Sequence, residues 1–184
     1  AKCSVFIGLY AGLRATTGDD NIYIGRQAGP QASDSDGEHN IALGHCTGGG
    51  LTSGGYNIFF GYYAGKGTTT ASNNIALGRG TLVGATGVAV TGSENIVLGC
   101  KAGGRVSTGQ KNIFIGSYSG YKDENASVGT ISIGTQTNIK GSGDYNVMLG
   151  YEAGRCHTTG ANNIAIGLYA GHGASSSGGT GANN

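Results

Sequence analysis

Four histidines are the side chains of this sequence best suited to acid–base chemistry. His39, His45, His157 and His172 fall at different places along the chain, and none recurs beside a carboxylate or a serine at a fixed spacing. Catalysis needs an acid, a base and a nucleophile that converge on one point. We therefore predict that the chain is not an enzyme, that it uses no cofactor and that these histidines are separate surface residues.

A short acidic run is the place in the sequence where a cation could bind. Asp34, Asp36 and Glu38 lie close together, and carboxylate oxygens are ligands that Ca²⁺ prefers. The run lacks the other ligands of a calcium-binding loop. We predict a solvated loop here, with a metal site as the alternative.

The four cysteines show no C-x-x-C spacing and fit no zinc pattern. Free thiols are the prediction, and a disulfide framework is the alternative that the spacing leaves open. The residues are Cys3, Cys46, Cys100 and Cys156.

Two further functions rest on short motifs. Residues 24–29 match the hexapeptide unit of β-helical acyltransferases, but those enzymes repeat the hexad in tandem, whereas here it occurs once per repeat. Thr16–Thr17 and Thr68–Thr70 could order water in an ice-binding protein, but they do not form a regular rank. Both functions are alternatives that the spacing disfavours.

The composition is glycine-rich and nearly neutral. The chain has 39 glycines in 184 residues, where average usage of roughly 7% would give about 13. Its formal net charge is +1, so it lacks the basic surface that nucleic-acid binding requires. No apolar stretch approaches the length of a membrane span. We predict no nucleic-acid partner and no membrane insertion.

A pentad of the form Asn-Ile-x-Ile/Leu-Gly recurs along the chain and determines its architecture. Ten copies, two of them looser, start at residues 4, 21, 40, 57, 74, 95, 112, 130, 146 and 163. The two aliphatic residues of each copy lie two apart and therefore share one face of a short strand. The repeat predicts an all-β parallel solenoid of about ten rungs of roughly 17 residues.

The asparagine that opens each pentad is predicted to stack on its neighbours. Amide side chains that repeat at one position can hydrogen-bond to one another along a stack. The predicted ladder consists of Asn21, Asn40, Asn57, Asn74, Asn95, Asn112, Asn146 and Asn163.

The residue between the two aliphatics faces the other way and is also mostly apolar. An exposed strand face should be polar, so we predict that this second face is covered by an identical chain. The predicted inter-chain face includes Phe6, Tyr23, Phe59, Val97, Phe114 and Met148.

The residues that follow each strand glycine are predicted to point outward. Several are tyrosines, whose rings often contact carbohydrate or protein ligands. The candidates for exposed binding residues are Tyr10, Tyr62, Tyr63, Tyr118, Tyr151 and Tyr169. Asn125-Ala126-Ser127 is a glycosylation sequon, which matters only in a secretory pathway.

The full unit is Asn-Ile-x-Ile-Gly-x-x-Ala-Gly, with Thr-Thr-Gly-x-x-Asn leading into the next copy, as in residues 16–25 and 158–167. It resembles the glycine-rich repeats of phage and viral tail-fibre proteins and is similar to the head repeats of trimeric autotransporter adhesins. The resemblance covers the whole chain. It implies a left-handed parallel β-roll, three chains side by side, and a role as a stalk or adhesive head.

Together these features predict a non-enzymatic structural fibre on a virion or outside a cell. We expect one repeat domain over residues 1–184, with insertions at 30–39 and 79–94, and a homotrimer that meets a glycan or protein receptor. The sequence closes on Gly181-Ala182-Asn183-Asn184, which matches the approach to another repeat, so we expect a segment of a longer fibre chain. A filament of chains joined end to end is the alternative.

Overall fold

The computed structural model describes residues 2–121, 127–140, 143–156 and 160–173. In these residues the chain forms one ten-stranded parallel sheet whose strand order follows the sequence. The strands are β1 (Val5–Ile7), β2 (Ile22–Ile24), β3 (Ile41–Leu43), β4 (Ile58–Phe60), β5 (Ile75–Leu77), β6 (Ile96–Leu98), β7 (Ile113–Ile115), β8 (Ile131–Ile133), β9 (Val147–Leu149) and β10 (Ile164–Ile166). The predicted all-β solenoid is confirmed.

Equivalent residues of successive repeats lie directly beside each other in the sheet. Ile58 pairs with Ile75, and Phe60 with Leu77. The backbone N–H of Ile58 donates to the Asn74 carbonyl at 2.8 Å. We call each strand and the connection that follows it a rung, numbered as its strand. Each rung is held mainly by its neighbours, because a three-residue strand cannot bury a face alone.

The middle residue of each strand fills the interior of the coil. In nearly every rung this side chain has no exposed surface within a single chain, so it cannot form a face toward another chain. The predicted inter-chain face is therefore wrong for Tyr23, Phe59, Val97, Phe114 and Met148. Phe6, in the first rung, is 38% exposed and stacks on Tyr23 with 5.1 Å between ring centroids. A coil one strand wide has room for one inward side chain per strand.

A second interior position lies six residues after the middle residue and is glycine in eight of the ten rungs. After Phe59 it is Gly65, where an added Cβ would lie 2.6 Å from the Phe59 ring. After Ala76 it is Leu82, whose side chain is fully buried. After Ser132 it is Asn138, which is also buried. In rung 5 the small middle residue is thus accompanied by a large one at the second position, whereas in rung 4 the Phe59 ring leaves no room there, as close packing of a narrow interior requires.

The glycine that ends each strand permits two rungs to approach closely. Gly61 has a φ of +129°, and a Cβ there would lie 2.6 Å from the Gly78 carbonyl oxygen. An L-residue is disfavoured by both the conformation and the contact. The same stacking recurs in nearly every rung, which explains why the pentad ends in glycine.

Rung 8 interrupts the apolar core with polar side chains. Ser132 replaces the apolar middle residue, and Asn138 stands at the second interior position. The buried apolar residues form one cluster that reaches Phe114 and another that begins at Met148. The hydroxyl of Ser132 and the amide of Asn138 are buried without a hydrogen-bond partner.

Replacing Ser132 by Ala is expected to stabilise the fold. The change removes a buried hydroxyl that lacks a partner and reproduces the interior alanine of rung 5, so we expect a gain of about 1 kcal/mol. Urea or thermal unfolding measures the change. The matched control is Ser119→Ala, which should destabilise, since the Ser119 hydroxyl donates to the Ser132 carbonyl at 2.8 Å and accepts from Thr137 at 2.9 Å. A loss of stability in Ser132→Ala would contradict the description of the Ser132 hydroxyl as a buried group without a hydrogen-bond partner.

Candidate functional site

The outer face of the sheet carries two parallel ranks of apolar side chains, which we call the aliphatic ribbon. They are the first and third residues of every strand, which point away from the coil interior. The first rank is Val5, Ile22, Ile41, Ile58, Ile75, Ile96, Ile113, Ile131, Val147 and Ile164, and the second is Ile7, Ile24, Leu43, Phe60, Leu77, Leu98, Ile115, Ile133, Leu149 and Ile166. Nineteen of these twenty residues are aliphatic and the other is Phe60.

The ribbon is partly or fully exposed along the whole stack. None of its residues is buried within the single chain, and Phe60, in the middle of the sheet, is 56% exposed. Ten strands about 4.8 Å apart and two side chains across give a patch of about 45 by 10 Å. Contiguous apolar patches of several hundred Å² on soluble proteins usually mark a contact surface. The ribbon is the strongest candidate for a functional surface.

The middle residue of the strand, which was predicted to face another chain, faces the coil interior instead. Both faces are apolar, so alternation alone does not reveal which is inward. Glycine lies six residues after the middle residue in eight of the ten rungs, after Phe59 and Ala42 alike, so this position does not identify the inward face from the sequence.

The predicted asparagine ladder is present and buried. The Asn57 Oδ1 accepts hydrogen bonds from the backbone N–H and the side-chain amide of Asn74, at 3.0 and 3.1 Å. The Asn57 amide donates to Asn40 Oδ1 and to the Ala71 carbonyl, both at 2.9 Å. In rung 8 the ladder position is Thr130, whose N–H still donates to the asparagine before it, at 2.9 Å. The ladder stabilises the stack and is not open to a ligand.

The six candidate tyrosines lie at the corner that follows the strand glycine. Four are exposed, namely Tyr10, Tyr62, Tyr151 and Tyr169, and Tyr63 and Tyr118 are partly exposed. The second residue after the glycine has a positive φ, near +60°, and accepts many side-chain types, including Gln27 and Lys101. We call the ten residues at this position the corner column: Tyr10, Gln27, Cys46, Tyr63, Gly80, Lys101, Tyr118, Gln136, Glu152 and Tyr169.

The tyrosines contact one another and nearby cations. The ring centroids of Tyr62 and Tyr63 are 4.0 Å apart, and Lys66 Nζ lies 4.2 Å from the centre of the Tyr63 ring. Lys101 Nζ lies 5.3 Å from the Tyr118 ring. Cation–π contacts of this kind hold the rings in place at a solvent-facing corner. Rings and positive charges therefore lie together at the corners of rungs 4, 6 and 7.

An ionic cluster lies at the corner of rung 9. Glu152 is buried and its carboxylate accepts hydrogen bonds from Arg155 at 2.8 Å and contacts His172 Nε2 at 3.1 Å. The Arg155 hydrogen bond is the main reason why the pKa of Glu152 lies below its ordinary value. The carboxylate is thus held ionised, and its partners are already bound within the chain. The cluster links the corners of rungs 9 and 10.

The acidic run and the histidines do not come together in one site. Asp34 is paired with Arg14 at 3.5 Å, and His39 lies 3.7 Å from Asp20. His45 contacts Arg26 at 3.0 Å. Within the described ranges, no three His, Cys, Asp or Glu side chains are grouped so that they could hold a metal ion. His157 and Asn125 lie outside the described residues.

The four cysteines are free thiols. Cys3 is exposed and Cys156 is buried, with the other two between these extremes. Thr68, one of the threonines considered for ice binding, has no exposed surface and cannot belong to an outer threonine rank. The part of the chain described by the structure contains no helix long and apolar enough to cross a membrane.

Comparison of the chain with protein-family models, with curated proteins and with solved structures yields no match.

Proposed function

We propose that the chain is a structural rod that assembles through its aliphatic ribbon into a homotrimeric shaft on a virion or outside a cell. The observation that carries this proposal is the ribbon itself, two unbroken apolar ranks exposed on one face of a single chain. Leaving that face in water is unfavourable by about 25 cal/mol per Å² of apolar surface. Packing against copies of the same chain removes the cost along the full length of the rod.

Identical chains suit the ribbon better than an unrelated partner. Its two ranks repeat at every rung in register, and a second copy presents the same spacing, so side chains of neighbouring sheets interdigitate at each rung. Three ribbons that meet on a common axis enclose one continuous apolar core. This arrangement also agrees with the resemblance of the repeat to trimeric adhesin and tail-fibre sequences.

The tyrosine-bearing corner then serves as the outer surface of the shaft. Its residues follow the strand glycine and do not belong to the ribbon, so assembly through the ribbon uses different side chains. A rod of this kind holds adhesive corners at a distance from the body that carries it. Its partners are two further copies of itself and a receptor on a cell surface.

Replacing three central ribbon residues by glutamine is expected to dissociate the trimer into single chains. We expect the chain to sediment at about 55 kDa, three times its 18.3 kDa. In Ile58→Gln/Phe60→Gln/Ile96→Gln, burial would leave polar amides unpaired at about 1–3 kcal/mol each, so the variant should sediment as a single chain. Analytical ultracentrifugation measures the masses, and circular dichroism checks that the sheet remains.

The matched control is Leu13→Gln. Leu13 is 55% exposed and lies on the connection between β1 and β2, outside the ribbon, so this variant should stay trimeric. A monomer or dimer of the unmodified chain would contradict the proposed shaft. A broad distribution of masses above that of a trimer, persisting in the triple-glutamine variant, would favour the alternative of a filament of chains joined end to end.

A further inference from the structure

The corner column lacks a side chain at Gly80. Among its ten positions, the other nine carry Tyr, Gln, Cys, Lys or Glu. Gly80 lies in rung 5, between Tyr63 in rung 4 and Lys101 in rung 6. With rungs about 4.8 Å apart, the backbones of these two residues are about 10 Å apart, and the missing side chain leaves a slot between them. An added Cβ at Gly80 would meet only the Lys101 side chain, at 3.6 Å.

The longest insertion of the chain forms the opposite wall of this slot. We call residues 83–89 the flap. Leu82 and Val90, on either side of it, have no exposed surface, and a hydrogen bond from Val88 N–H to the Ala85 carbonyl, 2.9 Å long, closes its tip. Residues 86–89 stand in solvent. Because its ends are anchored in the core, the flap forms a wall that exists before any ligand arrives.

Together the slot and the flap enclose a recess of about 680 Å³. Tyr63 and Tyr121 line it with rings, Lys101 and Arg105 with positive charges, and Val83 and Val88 with apolar surface. Its volume is in the range of ligand sites. The ring of Tyr121 packs on Gly104, where a Cβ would lie 2.7 Å from the ring, so that ring is held in place. No residue of the aliphatic ribbon lines the recess.

The charge around the recess is positive. Residues 56–124 contain six Lys or Arg and three acidic residues, Glu94, Asp123 and Glu124, in a chain whose formal net charge is only +1. None of the residues that line the recess is acidic, a statement that holds for the described part of the chain. Lys101 Nζ lies 6.0 Å from the Tyr121 ring, so charge and ring lie side by side. The recess therefore favours an anion.

We propose that this recess binds an acidic saccharide, in which a carboxylate or sulfate group meets Lys101 and Arg105 and a sugar ring lies against Tyr63 or Tyr121. Tyrosine offers a flat apolar face and a hydroxyl, which suits the two kinds of surface of a pyranose. Charge-assisted hydrogen bonds from Lys and Arg fix the anionic group. The inference deepens the proposed function, because it assigns the receptor chemistry of the shaft to one recess.

Filling the slot is expected to weaken binding. Gly80→Gln places in rung 5 a residue that the column already holds in rungs 2 and 8, with φ of +57° and +58°, so the fold should accept it. Isothermal titration with a heparin-derived tetrasaccharide and with a hyaluronan oligosaccharide should give binding to the unmodified chain. We expect at least a tenfold weaker Kd in Gly80→Gln and a similar loss in Lys101→Gln.

The control for charge is Arg26→Gln, which removes one cation from the same kind of corner in rung 2, outside the recess. It should bind as the unmodified chain does. Binding of the sulfated or of the carboxylated probe alone supports the proposal and identifies the anionic group. Absence of binding to both probes, equal binding of a neutral oligosaccharide such as maltotetraose, an equal loss in Arg26→Gln, or undiminished binding in Gly80→Gln would each overturn it.

The same titration separates this inference from the proposed assembly. The recess is built from one chain, so the triple-glutamine ribbon variant, whose formal charge is unchanged, should still bind the acidic probe within about threefold of the unmodified chain. Loss of the trimer with retained binding would then be the expected pair of results. A stable trimer that binds neither probe would agree with the proposed shaft and contradict the proposed saccharide site.

Discussion

Replacing Gly65 by Leu is expected to destabilise the centre of the solenoid strongly. A Cβ at this position would lie 2.6 Å from the Phe59 ring, and the backbone φ is +62°. Overpacking of a core costs about 1–3 kcal/mol, and a left-handed conformation adds about 1–2 kcal/mol for an L-residue. We expect a loss of about 2–5 kcal/mol in the free energy of unfolding, measured by urea denaturation.

Truncating Phe59 to alanine should restore much of the stability that Gly65→Leu removes. Phe59→Ala alone leaves a cavity and should cost about 3–5 kcal/mol. The double variant Phe59→Ala/Gly65→Leu reproduces the natural pair Ala76 and Leu82, in which Leu82 has a φ of +50° and no exposed surface. It should therefore be more stable than either single variant. Additive losses in this double-mutant cycle would contradict a shared interior volume.

Replacing Asn57 by Leu should also have a large effect. Two hydrogen bonds received by its Oδ1 and two donated by its amide would be lost, and their partners on Asn40, Ala71 and Asn74 are buried. The Ala71 carbonyl and the backbone N–H of Asn74 lose their partner, whereas Asn40 Oδ1 still accepts from the backbone N–H of residue 57 and the Asn74 amide still donates to the Ser72 and Gly92 carbonyls. Each buried group without a partner costs about 1–3 kcal/mol, so we expect a loss of about 2–6 kcal/mol. Hydrogen exchange should accelerate first in rungs 3–5, since each rung depends on its neighbours.

Asn57→Thr is the matched control, because threonine already occupies the ladder position in rung 8. There Thr130 donates its hydroxyl to the Gly143 carbonyl at 3.2 Å, so a threonine replaces part of the amide's bonding. We expect a loss of about half that of the leucine variant. Equal losses in the two variants would mean that side-chain volume, rather than the amide hydrogen bonds, governs stability at this position.

The sequence by itself determined the architecture, the number of rungs and their register. A strand of three residues that returns about every 17 residues can be buried only by its own copies, so the repeat implies a parallel stack. In-register stacking then follows from the positions that repeat most strictly. The asparagine ladder could be foreseen for the same reason, because a buried amide at a fixed position finds its partner in the next rung.

Only the tertiary structure decided which strand face lies inside and where a recess opens. Both faces of Ile58–Phe60 are apolar, and the inward one depends on how the rest of the rung closes the coil and on the narrow volume left within it. The slot at Gly80 depends on Tyr63 and Lys101, which lie 38 residues apart in sequence and two rungs apart in space, and on a flap whose course the repeat does not specify. Such contacts join side chains of different rungs, so they appear only once the rungs are stacked.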